Sequence, residues 1–353
     1  MSTDSGKPHP LRDRFRGALL GTLLGDALGM PVEGWPAALI RRELGEVREM
    51  HEARLGAGTY TDDTQMAGAL AEGLLGSPDP SRPEVDRIAR RFGERYDPER
   101  GYGGNTRQIL AAIRAGRPWR EVVEEHRLPG GSFANGAAMR VAPAALAGYP
   151  DPAVTVAIAD LQARPTGHDH PEGRFGARLQ ALGVLACLRE GRDGPPPDPR
   201  ALLRSALEGW EGLAPEGFVN RLEWIAGQLE EAGGDTGGGT SGGEEPRSVR
   251  DGAAAKAIAV LGTGGRAVES VPAALWAFLS HPDDPEEAII TAVGLGGDTD
   301  TIGAMAGALA GARCGASSLP ARWLEAAEEG PGGRGGLTEL ADRLYERIHE
   351  RMP

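Results

Sequence analysis

Apolar residues recur at helical spacing along nearly the whole chain, and no stretch alternates apolar and polar residues over the length of a strand. The pattern predicts helices over 11–29, 62–76, 84–95, 105–115, 119–126, 136–147, 151–163, 173–189, 199–211, 217–232, 251–262, 269–280, 284–294, 301–315, 320–327 and 337–350. Alanine is abundant and aromatic residues make up only 5% of the chain, which favours helices over strands. Three segments interrupt the periodicity: GRDGPPPDP at 191–199, GGDTGGGTSGGEEPRS at 233–248 and GPGGRGG at 330–336. Residues 1–10 are polar, contain two prolines and are expected to form a flexible N-terminal tail. The expected fold class is all-α, a single domain over 11–353 with the glycine-rich loop at 233–248 as an insertion rather than a boundary.

Two of the predicted helices carry glycine at every fourth position. Gly17, Gly21, Gly25 and Gly29 lie in the first, and Gly303, Gly307, Gly311 and Gly315 lie in the helix that begins near 301. Each interior glycine costs a helix roughly 1 kcal/mol relative to alanine. A stripe of four on one helix face is therefore expected only where backbones must approach closely. With 54 glycines in the chain, compositional bias is the competing explanation, and the regular spacing favours packing.

The totals narrow the function classes. A charged fraction of 25% and an apolar fraction of 40% describe a globular chain able to bury a large core. A net charge of −13 argues against a generic nucleic-acid or anionic-membrane surface. It does not exclude an anionic small ligand, because helix ends and metal ions can outweigh the global field locally. No segment reaches the ~18 charge-free apolar residues of a membrane span. Asp26 interrupts the apolar stretch that follows Arg12, Arg14 and Arg16, so no export signal is expected. Cys187 and Cys314 are isolated, without a CxxC context, and read as buried free thiols of a cytoplasmic chain. A monomer without nucleic-acid or membrane partners is expected.

Chemistry concentrates in two distant strings. Thr61-Asp62-Asp63-Thr64 opens TDDTQMAGALAEGLL, and Gly297-Asp298-Thr299-Asp300-Thr301 opens GGDTDTIGAMAGALAGARCG. Taken singly, each reads as a helix N-cap, where the dipole favours negative charge. Taken together with Glu33, they would bring about five negative charges into one pocket if the segments meet. Two divalent cations would offset that repulsion. Asp-Asp and Asp-x-Asp spacings let neighbouring carboxylates point at different ions, and Thr61 and Thr301 add neutral oxygens. An oxygen-only ligand set favours Mg²⁺ or Mn²⁺ over Zn²⁺, and the calcium-loop pattern is missing. Between the strings, GSFANGAAMR is a glycine-containing loop entering a helix, a place suited to a diphosphate, with Phe133 available to stack on a base.

These segments resemble a known family. GALLGTLLGDALGMPVEGW, TDDTQMAGALAEGLL, GSFANGAAMRVAPAAL, HDHPEGRFGARLQAL and VGLGGDTDTIGAMAGALAG are similar, in order, to the motifs of the ADP-ribosylglycohydrolase family, over roughly residues 14–316. That family includes dinitrogenase reductase-activating glycohydrolase-like proteins and ADP-ribosyl-acceptor hydrolases. The resemblance implies an all-α orthogonal helical bundle with a dinuclear Mg²⁺ or Mn²⁺ site in a central cleft. It implies Thr61, Asp62, Asp63, Asp298, Asp300 and Thr301 as metal ligands. Glu33 matches a mobile acidic loop; Gly131, Ser132, Phe133, Asn135, Gly136 and His168 match the ADP-ribose site. Two departures stand out. Many relatives place Thr directly before the matched histidine, whereas Gly167 intervenes here, which leaves His168 and His170 as alternatives facing the site. Gly103 stands where some arginine-specific members carry Asp, which weakens an arginine-linkage assignment.

The expected reaction is metal-dependent hydrolysis of the N- or O-glycosidic bond between ADP-ribose and a protein side chain or small molecule. Glu33, Asp62 and Asp63 are the candidates for proton transfer. The alternatives are a module that binds ADP-ribose or a nucleotide sugar without turnover, and a dinuclear hydrolase of another glycoside.

Overall fold

The structure, a computed structural model, describes residues 9–79, 81–211, 215–234 and 247–350. Among them the elements are helices: α1 (Pro10–Gly29), α2 (Ala37–Glu43), α3 (Asp62–Leu75), α4 (Val85–Arg95), α5 (Gly104–Arg114), α6 (Trp119–His126), α7 (Gly136–Met139), α8 (Ala142–Gly148) and α9 (Pro152–Ala163). They continue with α10 (Pro171–Glu190), α11 (Pro199–Leu207), α12 (Glu216–Gly234), α13 (Arg247–Leu261), α14 (Ala267–Ser280), α15 (Pro285–Gly294), α16 (Thr299–Cys314), α17 (Ala321–Ala326) and α18 (Arg334–His349). The all-α bundle read from the sequence is the fold that forms. Most of the expected tail at 1–10 and of the glycine-rich loop at 233–248 lies outside the described residues.

Local chemistry sets the boundaries. Asp151, Asp198 and Asp284 accept backbone N–H groups at the starts of α9, α11 and α15, each followed by proline in the first turn. The helix expected over 136–147 is two helices. Pro143 lacks the N–H that would bond to Met139, so the chain breaks at Arg140 and Val141 and restarts as α8. Helix α2 was not expected; it is a short helix with only Ile40 fully buried, too brief to show a period.

The core is organised around α1 and α16. Every residue of α1 from Gly17 to Gly29, and every residue of α16, is buried. Helices α3, α10, α14, α15 and α18 surround this pair. The two glycine stripes are each other's partners. Gly17 faces Gly311, Gly21 faces Gly307, Gly25 faces Gly303, and Gly29 faces Thr299, so the helices run antiparallel with their backbones in contact. Thr299 Oγ1 donates to the Gly29 carbonyl at 2.8 Å at the end of the stripe. Antiparallel pairing carries the C-terminal end of α1, with Asp26, to the N-terminal end of α16, with Asp298 and Asp300. Both cysteines are buried and free. Among the described residues no helix is long and apolar enough to cross a membrane.

Candidate metal centre and ligand loop

The two acidic strings meet. The N-termini of α3 and α16 converge beside the end of α1, so two positive helix ends face one acidic pocket. Neither Thr61 nor Asp298 makes a side-chain capping hydrogen bond to its own helix. The side chains at both N-cap positions therefore do no capping, although Asp300 Oδ1 accepts the Thr301 N–H at 2.9 Å in the first turn of α16. The first turn of α3 is instead capped from α1. Asp26 accepts the N–H groups of Thr61 (2.9 Å) and Thr64 (3.0 Å) and their hydroxyls, at 2.9 and 2.6 Å. Asp26 is wholly buried. It was not among the expected site residues, although the single carboxylate in the buried half of α1, from Gly17 to Gly29, requires partners.

Six carboxylates gather here: Asp26, Glu33, Asp62, Asp63, Asp298 and Asp300. Two triads bring carboxylate oxygens within 4.8 Å of one another, Asp26–Asp63–Asp300 and Glu33–Asp298–Asp300, with Asp300 common to both. Asp26 spends its oxygens on threonine donors, so its part is to hold α3 in place. Asp63 Oδ2, 3.0 Å from the Thr61 hydroxyl, competes with Asp26 for its one hydrogen, while Asp63 Oδ1 is buried with no partner among the described residues. Asp62 is half-buried, belongs to neither triad, and lies at the Gly101 turn, whose φ of 90° favours glycine. Thr301 is buried in the first turn of α16.

Every one of these acids is pushed above the ordinary carboxylate range. Burial raises Asp62 to about 8, with the Asp26 and Asp298 charges adding to it. Burial raises Asp26 to about 6 against the opposing pull of its threonine bonds. Burial and the neighbouring acids hold Asp63 and Asp300 well above normal. Burial raises Asp298, and partial burial of its carboxyl with the Asp298 charge raises Glu33, whose side chain still reaches solvent. Two arginines answer this charge: Arg54, which pulls Glu33 back, and the buried Arg140, which senses Asp62. An unpartnered carboxylate oxygen in such a cluster has the chemistry of a hard-cation ligand.

Loop backbone fixes the remaining residues around the acidic cluster. The segment Glu33–Trp35 is tied to the α16 entry by Gly34 N–H to Gly297 O (2.7 Å) and Gly297 N–H to Trp35 O (2.8 Å). Glu33 itself is exposed. Asn135 donates to Asp298 Oδ2 at 2.6 Å and to Ser270 Oγ at 3.0 Å, so its amide orients a carboxylate of the cluster. Its backbone N–H goes to Gly265 O, that of Ser132 to Gly167 O, and that of Ala134 to Ser132 Oγ. The amides of Ser132, Ala134 and Asn135 are thus already engaged, which removes them from the diphosphate-binding role expected of this helix entry. Gly131 has φ 85° and presses on Asp169 and His170. Phe133 is 46% exposed, with the Arg266 guanidinium 5.4 Å from its ring centre.

The two histidines separate. His170 caps α10, its Nδ1 accepting the Glu172 N–H at 3.1 Å, and packs edge-on against Phe133. His168 is buried against Gly136, where a methyl group would stand 2.6 Å from its Nε2. Thr166 reaches across the interposed Gly167, its Oγ1 2.9 Å from His168 Nδ1.

Residues 7–353 match the ADP-ribosylglycohydrolase family. The chain belongs to the ADP-ribosylglycohydrolase family. It is 34% identical to the ADP-ribosylhydrolase ARH3 of Homo sapiens over 347 residues, covering 89% of each chain. An uncharacterized protein of Archaeoglobus fulgidus is 30% identical over 354 residues, covering 97% of this chain and 99% of that one. A solved structure titled an ADP-ribosylglycohydrolase-related protein complex superposes with a TM-score of 0.66 at 31% identity, covering 96% of this chain and 98% of that one. The resemblance read from five short motifs is therefore a property of the whole chain, and the activity of this family of hydrolases is directed at ADP-ribosylated substrates.

Proposed function

We propose that this chain hydrolyses the N- or O-glycosidic bond between ADP-ribose and an acceptor, with two divalent cations, Mg²⁺ or Mn²⁺, in the acidic pocket. The carrying observation is the buried, unpartnered Asp63 Oδ1 inside a cluster of six acids whose two triads share Asp300. Asp63, Asp298 and Asp300 would hold the cations, with Thr61, Asp62 and Thr301 completing the oxygen set. When bound, such cations supply positive charge beside the distal ribose and the developing charge at its C1.

The chain's own residues do the rest. Asp26 and Asn135 hold Thr61 and Asp298 in place, so the ligand oxygens are set before anything binds. Glu33 is the one exposed member of the six and has a raised pKa, so proton transfer is assigned to it rather than to the buried Asp63. As the bond from C1 to the acceptor breaks, water adds at C1. Glu33 takes a proton from that water and returns one to the departing acceptor atom. The exposed ring of Phe133 offers a stacking face for adenine, and the loop from Gly131 to Gly136 with His168 would hold the remainder of ADP-ribose.

A panel of ADP-ribosylated arginine, serine, acetate and nucleoside substrates tests this reading. ADP-ribose release should stop in chelator, return with Mg²⁺ or Mn²⁺, and be lost in Asp300→Ala with helicity retained. Release that persists in chelator overturns the metal assignment. Tight ADP-ribose binding with no release from any acceptor would establish a binding module instead.

A further inference from the structure

Arg140 is a fully buried arginine whose bonds all lead away from solvent. Its Nε donates to Gln162 Oε1 at 2.6 Å, and its Nη2 donates to Gln162 O at 2.9 Å and to Thr166 Oγ1 at 2.8 Å. Its guanidinium also lies 4.7 Å from the centre of the Phe92 ring. Gln162 is held in turn, donating to Ala137 O at 2.8 Å at the start of the helix that carries Gly136. Thr166 Oγ1 then sits 2.9 Å from His168 Nδ1.

A hydroxyl has one hydrogen to give and two lone pairs to receive. Arg140 fills one lone pair of Thr166. The Thr166 hydrogen can go to His168 Nδ1 at 2.9 Å or to Ala163 O at 3.4 Å. The shorter bond wins on distance. It also wins on charge, because a guanidinium bond makes the hydroxyl a better donor and a poorer acceptor of a second N–H. Nδ1 is then an acceptor, so the ring proton of the neutral imidazole resides on Nε2. Burial and the Arg140 charge push His168 down to about 3, against a smaller upward pull from the Thr166 backbone, which keeps the ring neutral. Among the described residues nothing hydrogen-bonds Nε2, which lies over Gly136 at the entry to α7.

We infer that Arg140, acting through the Thr166 hydroxyl, is a positioning residue that fixes His168 in the Nε2–H tautomer, so that the histidine presents a single neutral donor to an oxygen of the bound nucleotide sugar. The ligand half of this inference rests on the proposed function; the tautomer half does not. The relay also accounts for the interposed Gly167. Its φ of 69° turns the chain so that Thr166, although two residues before His168, still meets the ring.

The test uses the full chain with its divalent metal and three forms: wild type, Thr166→Val and Thr166→Ser. Nitrogen-15 spectra of the histidine rings, without nucleotide, read the tautomer of His168 directly. Calorimetry with ADP-ribose reads the consequence. Wild type and Thr166→Ser should show protonated Nε2 and bare Nδ1. Thr166→Val should lose that preference and bind ADP-ribose roughly tenfold more weakly, as expected for one misdirected hydrogen bond. Protonated Nδ1 in wild type, or an unchanged tautomer in Thr166→Val, overturns the relay. Loss of affinity that Thr166→Ser does not restore overturns the role of the hydroxyl. A wild-type chain that does not bind ADP-ribose removes the ligand half together with the functional reading, while the spectra decide the relay on their own.

Discussion

Substituting Gly21 by alanine tests whether the antiparallel glycine stripe is what sets the register of α1 and α16. A methyl group at Gly21 would lie 2.6 Å from the carbonyl carbon of Gly307 and closer still to its oxygen. Ordinary carbon contacts are about 3.5–4.0 Å, so the helices must part by roughly 1 Å. The obstacle is backbone, and no side chain can rotate to relieve it. Overpacking typically costs about 1–3 kcal/mol, and a backbone obstacle belongs at the upper end. Parting the helices also strains the neighbouring contacts and the Thr299–Gly29 bond, about 1 kcal/mol more. The better helix propensity of alanine returns about 1 kcal/mol. The net loss is about 2–3 kcal/mol by chemical denaturation. Gly227→Ala is the control, because among the described residues no atom lies within 4 Å of a methyl added at that position in α12. It should be neutral or stabilising by up to about 1 kcal/mol. Equal stability of the two variants would refute the argument.

Three further outcomes follow from named contacts. Asp26→Asn turns an amide donor toward the N–H groups of Thr61 and Thr64, which should destabilise the chain by about 2 kcal/mol or more and weaken divalent-cation affinity in the same titration. Gly136→Ala should displace His168 and reduce ADP-ribose affinity in calorimetry while leaving the helical circular dichroism unchanged. Asp342 joins α18 to α1 through Arg16 (2.6 and 2.7 Å) and Arg12 (2.9 Å), and these bonds outweigh its partial burial and lower its pKa. A lowered carboxylate pKa stabilises above the unfolded value near ~3.9 and is lost as pH falls through the folded value. Wild type should therefore exceed Asp342→Asn by about 1 kcal/mol in unfolding at pH 7, and the gap should close near pH 3.

The sequence made legible whatever is contiguous. The strings at 61–64 and 297–301 carry their own carboxylates, so their nature could be read, and meeting in space was the one further assumption. The glycine stripes announced close packing, but only the fold shows that Gly17 answers Gly311 and so on down both helices. Asp26 was passed over because its meaning depends on donors 35 and 38 residues away. Arg140, Gln162 and Thr166 were invisible for the same reason: each is an ordinary residue until burial forces it to find a partner. The break before α8 could have been read from Pro143. The loop from Gly131 to Gly136 was legible as a glycine-containing entry to a helix, but not its contact with His168 or the use of its amides, which the surrounding carbonyls decide.

A calorimetric Mn²⁺ titration of wild type against Asp300→Asn tests the central claim most directly, because Asp300 belongs to both acidic triads. Two ions per wild-type chain are predicted, with both lost or severely weakened in Asp300→Asn while the helical spectrum is retained. Equal stoichiometry and affinity in the two proteins, or no binding by wild type, would contradict the account.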